Sequence, residues 1–405
     1  MNMKKTKLLI MILFLSCNIF AQIDYEEYSY AIAAAYYSEN EKAIEHFNKA
    51  EVFFSDKDFF FIERGENYYK LEKYNNAISD FKNAEKLNSK KGVLQLAKCY
   101  AITNNIDSSI FYLEKYLSQY DKIPKSEIKL DKAFEKIKNT EKWQNLWKKN
   151  WYSEVETKIN KAIYLKKQEK YLEALSELNS VLKKNKRNHK AYFIKGEVFY
   201  ATGNYKDAIK NYSKAIKNQP KNTQYLLARA KSYNDIKKHK KALDDYSSVL
   251  IINPENIQIY YKRALIFNEL KRYLNAKNDI SIYIQYFNRD SEVFYNCGLI
   301  YYNSEDYIGS LKYFNTAITK NNTNAKYYYA RANAYSKTQT YDYAINDYST
   351  ALDINPSLTD IYLQMGIAEQ EAGNMENACI YWQKSIKNKD YRANNYILKY
   401  CKNGN

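Results

Sequence analysis

Residues 203–220 read GNYKDAIKNYSKAIKNQP, and the same pattern returns 34 residues later. Residues 237–254 read KKHKKALDDYSSVLIINP, and residues 339–356 read QTYDYAINDYSTALDINP. Each copy places a small residue, an aromatic residue and a second small residue at the same offsets, and each ends in proline. Self-similarity at one fixed period indicates an array of repeated structural units rather than a single globular core.

The composition of the 405-residue chain favours a helical array. One hydrophobic core stops growing well before this length, whereas stacked repeats bury each apolar face on a neighbour. The chain holds only 9 Gly and 4 Pro, which leaves little room for tight turns and strands. We therefore expect an all-α fold.

Seven 34-residue units tile residues 155–392 without an insertion. Positions 8 and 20 of each unit hold a small residue, as Gly196 and Ala208 do in the unit that begins at His189. Apolar residues at positions 4, 8 and 11, and again at 20, 24 and 27, follow the helical period twice. Each unit is therefore predicted to be a hairpin of two closely crossing helices. Three further units occupy residues 24–123.

This pattern resembles the tetratricopeptide repeat in its length, in its small residues at positions 8 and 20, and in its aromatic positions. The closing prolines Pro220, Pro254 and Pro356 add to the resemblance, which covers nearly all of the chain after residue 23. It implies a right-handed α-solenoid of stacked helical hairpins.

Residues 124–154 interrupt the repeats, and Trp143, Trp147 and Trp151 recur there every four residues. On one helix they would share a face. We interpret the segment as a helical cover for the exposed end of the third unit, which also joins the two arrays. The alternative is an aromatic landing patch for a partner or for lipid headgroups. Residues 393–405 should likewise form a capping helix at the other end.

Residues 1–21 have the pattern of a secretory signal peptide. Lysines precede an apolar run that is too short for a stable membrane span, and Ala21 supplies the small residue for cleavage. The alternative is a lipoprotein acylated at Cys17. Nothing after residue 22 predicts a transmembrane span. We expect an exported protein that is periplasmic or associated with the outer membrane of a Gram-negative bacterium.

The formal net charge is +17, but the lysines are spread through every repeat. We interpret the charge as compositional and expect no nucleic-acid partner. Cys99, Cys297, Cys379 and Cys401 are too sparse for a disulfide scaffold. Buried free thiols are favoured, because cysteine commonly serves as a small core residue. The alternative is one disulfide between Cys379 and Cys401.

Positions 7 and 23 change together from unit to unit. Where position 7 is arginine, position 23 is aspartate; where position 7 is uncharged, position 23 is tyrosine or histidine. This covariation predicts partly shielded contacts between the two helices of one hairpin. The predicted structural ion pairs are Arg64–Asp80, Arg229–Asp245, Arg263–Asp279 and Arg331–Asp347.

The family resemblance implies that the first helices of the hairpins line a concave side, with positions 2, 5, 9, 12 and 13 facing it. Tyrosine offers stiff contact area and a hydrogen-bonding tip, so such a groove could hold an extended peptide or a partner helix. Alternatively, position 5 packs against the neighbouring repeat. The predicted groove residues are Phe193, Tyr200, Leu227, Lys231, Tyr261, Tyr295, Tyr302, Tyr329 and Asn333.

Catalytic motifs are missing from the sequence. His46, His189 and His239 have no metal-ligand spacing, and there is no Gly-rich phosphate loop. We expect no enzymatic activity, cofactor or metal. The favoured hypothesis is a non-catalytic scaffold that binds a partner protein or peptide in a bacterial envelope assembly or secretion system. The alternatives are a module for cell-wall or anionic glycans and a regulatory subunit of a separate enzyme.

Overall fold

The computed structural model describes residues 25–87, 89–120 and 122–401, which form α-helices, two short 3-10 helices and no strand. The predicted signal peptide and the Cys17 alternative lie outside these residues. The chain divides into two compact units, residues 1–255 and 256–405. The division falls inside the run of seven sequence units. No helix of the described part is long and apolar enough to cross a bilayer.

The first unit contains fourteen described helices. They are α1 (25–36), α2 (Asn40–Phe54), α3 (Asp58–Lys70), α4 (Tyr74–Lys86), α5 (Lys90–Ile102), α6 (Ile106–Leu117), α7 (Lys125–Leu130), α8 (Glu141–Lys148), α9 (Glu154–Lys167), α10 (Tyr171–Lys184), α11 (His189–Ala201), α12 (Tyr205–Asn218), α13 (Thr223–Asp235) and α14 (His239–Ile252), with a 3-10 helix at Lys132–Phe134.

The second unit contains nine helices within its described residues. They are α15 (Ile257–Glu269), α16 (Tyr273–Tyr286), α17 (Ser291–Asn303), α18 (Tyr307–Lys320), α19 (Ala325–Lys337), α20 (Tyr341–Ile354), α21 (Ile361–Glu371), α22 (Met375–Lys387) and α23 (Asn394–Tyr400), with a 3-10 helix at Tyr391–Ala393. In both units consecutive helices pair as antiparallel hairpins, and successive hairpins pack on one another.

Small residues set the close crossing within each hairpin. A Cβ added to Gly298 would lie 2.3 Å from the Phe314 ring of the facing helix, so position 8 leaves no room for a larger side chain there. Between the two helices the chain turns through one residue with positive φ, such as Gly203 at 73° or Lys237 at 56°. This left-handed residue ends the first helix in the common C-terminal manner.

The Trp-rich segment is less regular than the sequence predicts. Helix α8 ends at Lys148 because Lys149 is extended, with ψ at 145°. Trp151 therefore lies outside the helix, and the expectation that all three tryptophans share one helical face is wrong. Trp143 is buried against Phe134, with ring centroids 5.2 Å apart, in a core shared with α5 and α6.

The C-terminal residues contain a disulfide. Cys379 and Cys401 are bonded, with their Cα atoms 5.8 Å apart. The favoured prediction of free thiols is wrong for these two, because Tyr396 and Tyr400 of α23 pack on the Trp382 ring and bring the cysteines together. For Cys99 and Cys297 the prediction is confirmed, since both are free and buried.

Candidate partner-binding groove

First helices of successive hairpins lie side by side, and side chains about one repeat apart touch. In the first unit, the Tyr200 hydroxyl of α11 donates to Asp235 of α13 over 2.6 Å. In the second unit, the Asn296 amide of α17 donates to the Tyr261 hydroxyl of α15 over 2.8 Å. Both pairs are 35 residues apart in sequence. Neighbouring first helices therefore lie in a row, formed by α9, α11 and α13 in the first unit and by α15, α17 and α19 in the second.

A cavity of about 350 Å³ opens on this row between α9, α11 and α13. Its size lies at the small end of ligand-binding cavities, enough for one or two amino-acid side chains. The lining residues are Lys166, Glu197, Tyr200, Ala201, Tyr212, Ala228 and Lys231.

Charged groups surround the cavity in a fixed arrangement. The Lys166 ammonium and the Glu197 carboxylate form an ion pair at 2.7 Å across α9 and α11. The Lys231 ammonium lies 4.7 Å from the centroid of the Tyr200 ring, in the geometry of a cation–π contact. Lys231 is exposed, so its charge remains available to a ligand. The wall therefore offers both signs of charge beside an aromatic face.

Tyr200 is held as a neutral hydrogen-bond donor. Burial raises the pKa of Tyr200 above its ordinary value, and its hydrogen bond to the Asp235 carboxylate raises that pKa further. Burial also raises the pKa of Tyr212, which is 2% exposed. Neither phenol ionises near neutral pH, so this site can recognise a ligand but contains no activated tyrosine nucleophile.

The cavity includes only part of the predicted groove set in the first unit. Tyr200 and Lys231 line it. Phe193 does not face a partner, because it is 6% exposed and its ring stacks on Tyr225 of the next hairpin at 4.6 Å. Leu227 is half-buried and is not part of the lining.

In the second unit, the position 5 tyrosines pack on aromatic rings of their own hairpin or of the next one. The Tyr261 ring stacks on Tyr283 at 4.8 Å, and burial raises the pKa of Tyr261 to about 12. Tyr295 contacts the Tyr327 ring at 5.1 Å, and Tyr329 contacts Tyr348 at 5.9 Å. All three position 5 rings are half-buried, so they hold the row together and present only their remaining surface to a ligand.

The last two predicted groove residues are also engaged with neighbours. Asn333 accepts a hydrogen bond from the buried Tyr348 hydroxyl at 2.7 Å, and the half-buried Tyr302 ring meets Tyr307 at 5.3 Å. Both contacts lie within one hairpin, and the sequence did not show which predicted groove residues would be engaged in this way.

The four arginine–aspartate pairs are bidentate contacts inside their hairpins. In each, the arginine Nε and Nη2 donate to the two carboxylate oxygens of the aspartate sixteen residues later. The distances run from 2.6 to 2.9 Å. The four aspartates are buried, from 2% to 5% exposed. Such planar, two-bond pairing needs arginine, because lysine cannot form the fork.

Three of these arginines have a further partner that was not predicted from the sequence. The free Nη1 reaches back to position 25 of the preceding hairpin, sixteen residues earlier. Arg64 donates to Asn48 over 3.0 Å, and Arg331 donates to Asn315 over 2.7 Å. Arg229 donates similarly to Ser213 over 3.0 Å. Position 25 holds a residue that can form hydrogen bonds in every unit, and this pattern could have indicated the contact.

These features define a class, a helical-repeat protein built from stacked hairpins. Models of the tetratricopeptide repeat match residues 159–223, 198–257 and 325–358. Residues 159–257 and 325–358 are therefore tetratricopeptide repeats.

Solved structures of similar fold come from several bacteria. The C-terminal part of a repeat protein of this type from Cytophaga hutchinsonii is 16% identical, with a TM-score of 0.51, and the match covers 60% of this chain and 100% of that one. A repeat protein from Parabacteroides merdae is 21% identical, with a TM-score of 0.45, and covers 61% and 98%. MamA from Desulfovibrio magneticus is 14% identical, with a TM-score of 0.41, and covers 42% and 96%. No curated protein matches the sequence.

Proposed function

We propose that the chain is a non-catalytic scaffold that holds a partner protein or peptide against its row of first helices. We further propose that it is exported and works in a bacterial envelope assembly or secretion system. The cavity between α9, α11 and α13 carries this proposal, since it combines an aromatic wall with an exposed ammonium on the interaction face of a repeat protein.

The chemistry of the cavity favours binding over catalysis. Lys166 is paired with Glu197, and Tyr200 donates to Asp235. Catalytic acids and bases are usually poised for proton transfer rather than committed to partners of this kind. A peptide side chain that carries a carboxylate can bind Lys231 while its apolar part covers Tyr200.

Site-specific photo-crosslinking tests the groove in the producing cell. A photoreactive residue in place of Lys231 should capture a defined partner protein. The same residue in place of Lys210, which is exposed on the second helix α12, is the matched control. Equal capture of one protein at both positions, or capture at neither, would contradict the groove proposal.

Substitution then measures the contribution of the cavity. Tyr200→Ala with Lys231→Ala should weaken binding of the captured partner by about a hundredfold, as expected when an aromatic contact and a charged contact are both lost. Changing Tyr261, Tyr295 and Tyr329 together is a poorer test, because these rings also pack against other tyrosines of the array, so their loss could disturb the fold. Cell fractionation tests the proposed location, and recovery of the chain only in the cytoplasm would overturn that part.

A further inference from the structure

A second cavity lies between the Trp-rich segment and α9, and it shares no lining residue with the first cavity. Its volume is about 650 Å³, inside the range of small-molecule sites. It is lined by Pro124, Lys125, Ser126, Lys129, Trp147, Lys149, Asn150, Trp151, Tyr152, Thr157, Asn160, Lys161 and Tyr164. The lining contains no carboxylate.

The polar groups of this cavity are strongly biased toward donors. The ammonium groups of Lys125 and Lys129 lie 5.3 and 5.4 Å from the centroid of the Trp147 ring. Neither pairs with a carboxylate among the described residues, whereas Lys149 and Lys161 are paired with Glu114 and Glu177. Among the described residues, Lys125 and Lys129 therefore contribute two ammonium groups without a carboxylate partner to the Trp147 side of the cavity.

The two tryptophans also line the cavity. The Trp147 Nε1–H is buried and has no acceptor within the described part of the chain, whereas the Trp151 indole donates to the Leu146 carbonyl over 2.8 Å. The Lys125 and Lys129 ammonium groups therefore determine the ligand charge, and they favour a ligand with negative charge and hydrogen-bond acceptors.

The other lining residues indicate the chemistry of the uncharged part of the ligand. Trp151 is half-buried, and Tyr164 is 60% exposed, so flat aromatic surface faces the opening. The Asn150 and Asn160 amides can each donate and accept, as can the hydroxyls of Ser126 and Thr157. Aromatic surface, amides and ammonium groups together match a sugar ring with apolar C–H faces, several hydroxyls and one carboxylate.

We propose that this cavity binds an acidic sugar, such as a hexuronic acid unit of a glycan. An acidic peptide fits less well, because the surrounding backbone is largely helical and offers no strand edge to an extended chain. A helical peptide, about 10 Å across, is too wide for a cavity of this volume. The site is independent of the proposed groove and would survive its failure.

Calorimetric titration of the full chain with trigalacturonate tests this proposal. The matched probe is its methyl ester, which keeps the ring and hydroxyls but masks the charge. We expect saturable binding of the acid, at least about tenfold weaker binding of the ester, and weaker binding as salt rises. No saturable binding, or equal binding of acid and ester, would overturn the proposal. Tighter binding of a triglutamate peptide would also overturn it, in favour of an acidic-peptide site.

Two variants locate the site. Lys125→Gln with Lys129→Gln should weaken trigalacturonate binding by about tenfold, whereas Lys132→Gln with Lys138→Gln removes equal charge from the same segment outside the lining and should not. Tyr164→Ala removes an exposed ring and should weaken binding about fivefold. Tyr343→Ala, also exposed at 64%, is its control. Unchanged melting temperatures separate loss of binding from loss of fold, and equal effects of site and control variants would refute the location.

Discussion

Two neighbouring hairpins of the second unit satisfy the same contact in opposite ways. In the α19–α20 hairpin, Arg331 donates to both oxygens of Asp347 over 2.7 Å. In the α17–α18 hairpin, the equivalent positions hold Cys297, which is fully buried, and Tyr313, whose ring meets Tyr301 at 4.8 Å. One contact is ionic and the other is neutral and largely apolar, yet the helices of the two hairpins have the same lengths.

The difference shows that the residues at positions 7 and 23 depend on each other. Asp347 is 2% exposed, so its charge depends on the guanidinium. The Cys297 site provides no counter-charge, and burial raises the pKa of that thiol to about 12. Either pair is stable when complete, whereas a mixed pair leaves a buried charge without a partner. The following changes test this statement.

Cys297→Arg should have the largest effect. It places a cation in a fully buried site opposite a tyrosine, and we expect a loss of about 4 kcal/mol in the free energy of unfolding. Urea denaturation followed by circular dichroism measures it. Adding Tyr313→Asp should recover much of the loss, and Cys297→Met, which copies Met365 of a later hairpin, controls for size. If the double variant is no more stable than Cys297→Arg alone, positions 7 and 23 do not depend on each other.

Arg331→Leu should cost about 3 kcal/mol, because it leaves the buried Asp347 carboxylate without its partner. The same urea experiment applies. Arg331→Leu with Asp347→Tyr converts the hairpin to the neutral type and should regain most of the stability. Arg392→Leu removes an exposed arginine from its pair with Asp390 and should change little. Comparable losses for Arg331→Leu and Arg392→Leu would show that shielding is unimportant.

Gly298→Ala should cost about 2 kcal/mol through overpacking, partly offset by the better helix propensity of alanine. The added Cβ meets the Phe314 ring, so Phe314→Leu in the same chain should relieve the strain. The third hairpin supports this rescue, since Ala97 and Leu113 occupy the equivalent positions in α5 and α6. The thermal midpoint measures both variants, and a neutral Gly298→Ala would mean that the helices can move apart there.

Alkaline pH should weaken the neutral hairpin selectively. The pKa of Cys297 is raised in the folded chain, so the unfolded chain ionises first and stability falls as pH rises above the ordinary thiol pKa. At pH 10 this loss should be about 2 kcal/mol from this thiol. Cys297→Met should remove that part of the loss between pH 8 and about 10. Identical pH profiles for both chains would contradict the assignment.

Asn315→Ala should have the smallest effect, about 1 kcal/mol, because it removes one exposed partner of a charged donor. The reference is Asn315→Ala in an Arg331→Leu/Asp347→Tyr background, where the donor is gone. A double-mutant cycle from urea denaturation isolates the bond. If Asn315→Ala costs the same in both backgrounds, the link between hairpins contributes no stability.

Much of this architecture is readable from periodic sequence. The small residues at position 8 predict the close crossing of the two helices. A larger side chain at Gly298, for example, would meet the Phe314 ring of the facing helix. Positions 7 and 23 predict the ionic pairs, because both partners vary across repeats. Position 25 was harder, since Asn315 and Ser213 are exposed or partly exposed polar residues of a common type, and only their contact with arginine distinguishes them.

The failures concern contacts that do not repeat. Cys379 and Cys401 occur once, so no column of equivalent residues indicated that α23 would fold back onto Trp382. Trp151 follows a helix end that no proline or glycine marks. Tyr261 and Tyr329 pack on rings of their own second helices, whereas Tyr295 packs on Tyr327 of the next hairpin. The position 5 residue alone does not distinguish these two kinds of contact.

The hydrogen bonds from arginine Nη1 to the preceding hairpin should affect where the stack opens locally. Arg331 ties α19 to α18 of the preceding hairpin, whereas Cys297 offers no guanidinium to α16. In a stack stabilised by nearest neighbours, transient opening begins at the weakest joint. We expect amide hydrogens to exchange with solvent sooner at the α16–α17 joint than at the α18–α19 joint, so that the order of local opening follows the pattern of arginines along the chain.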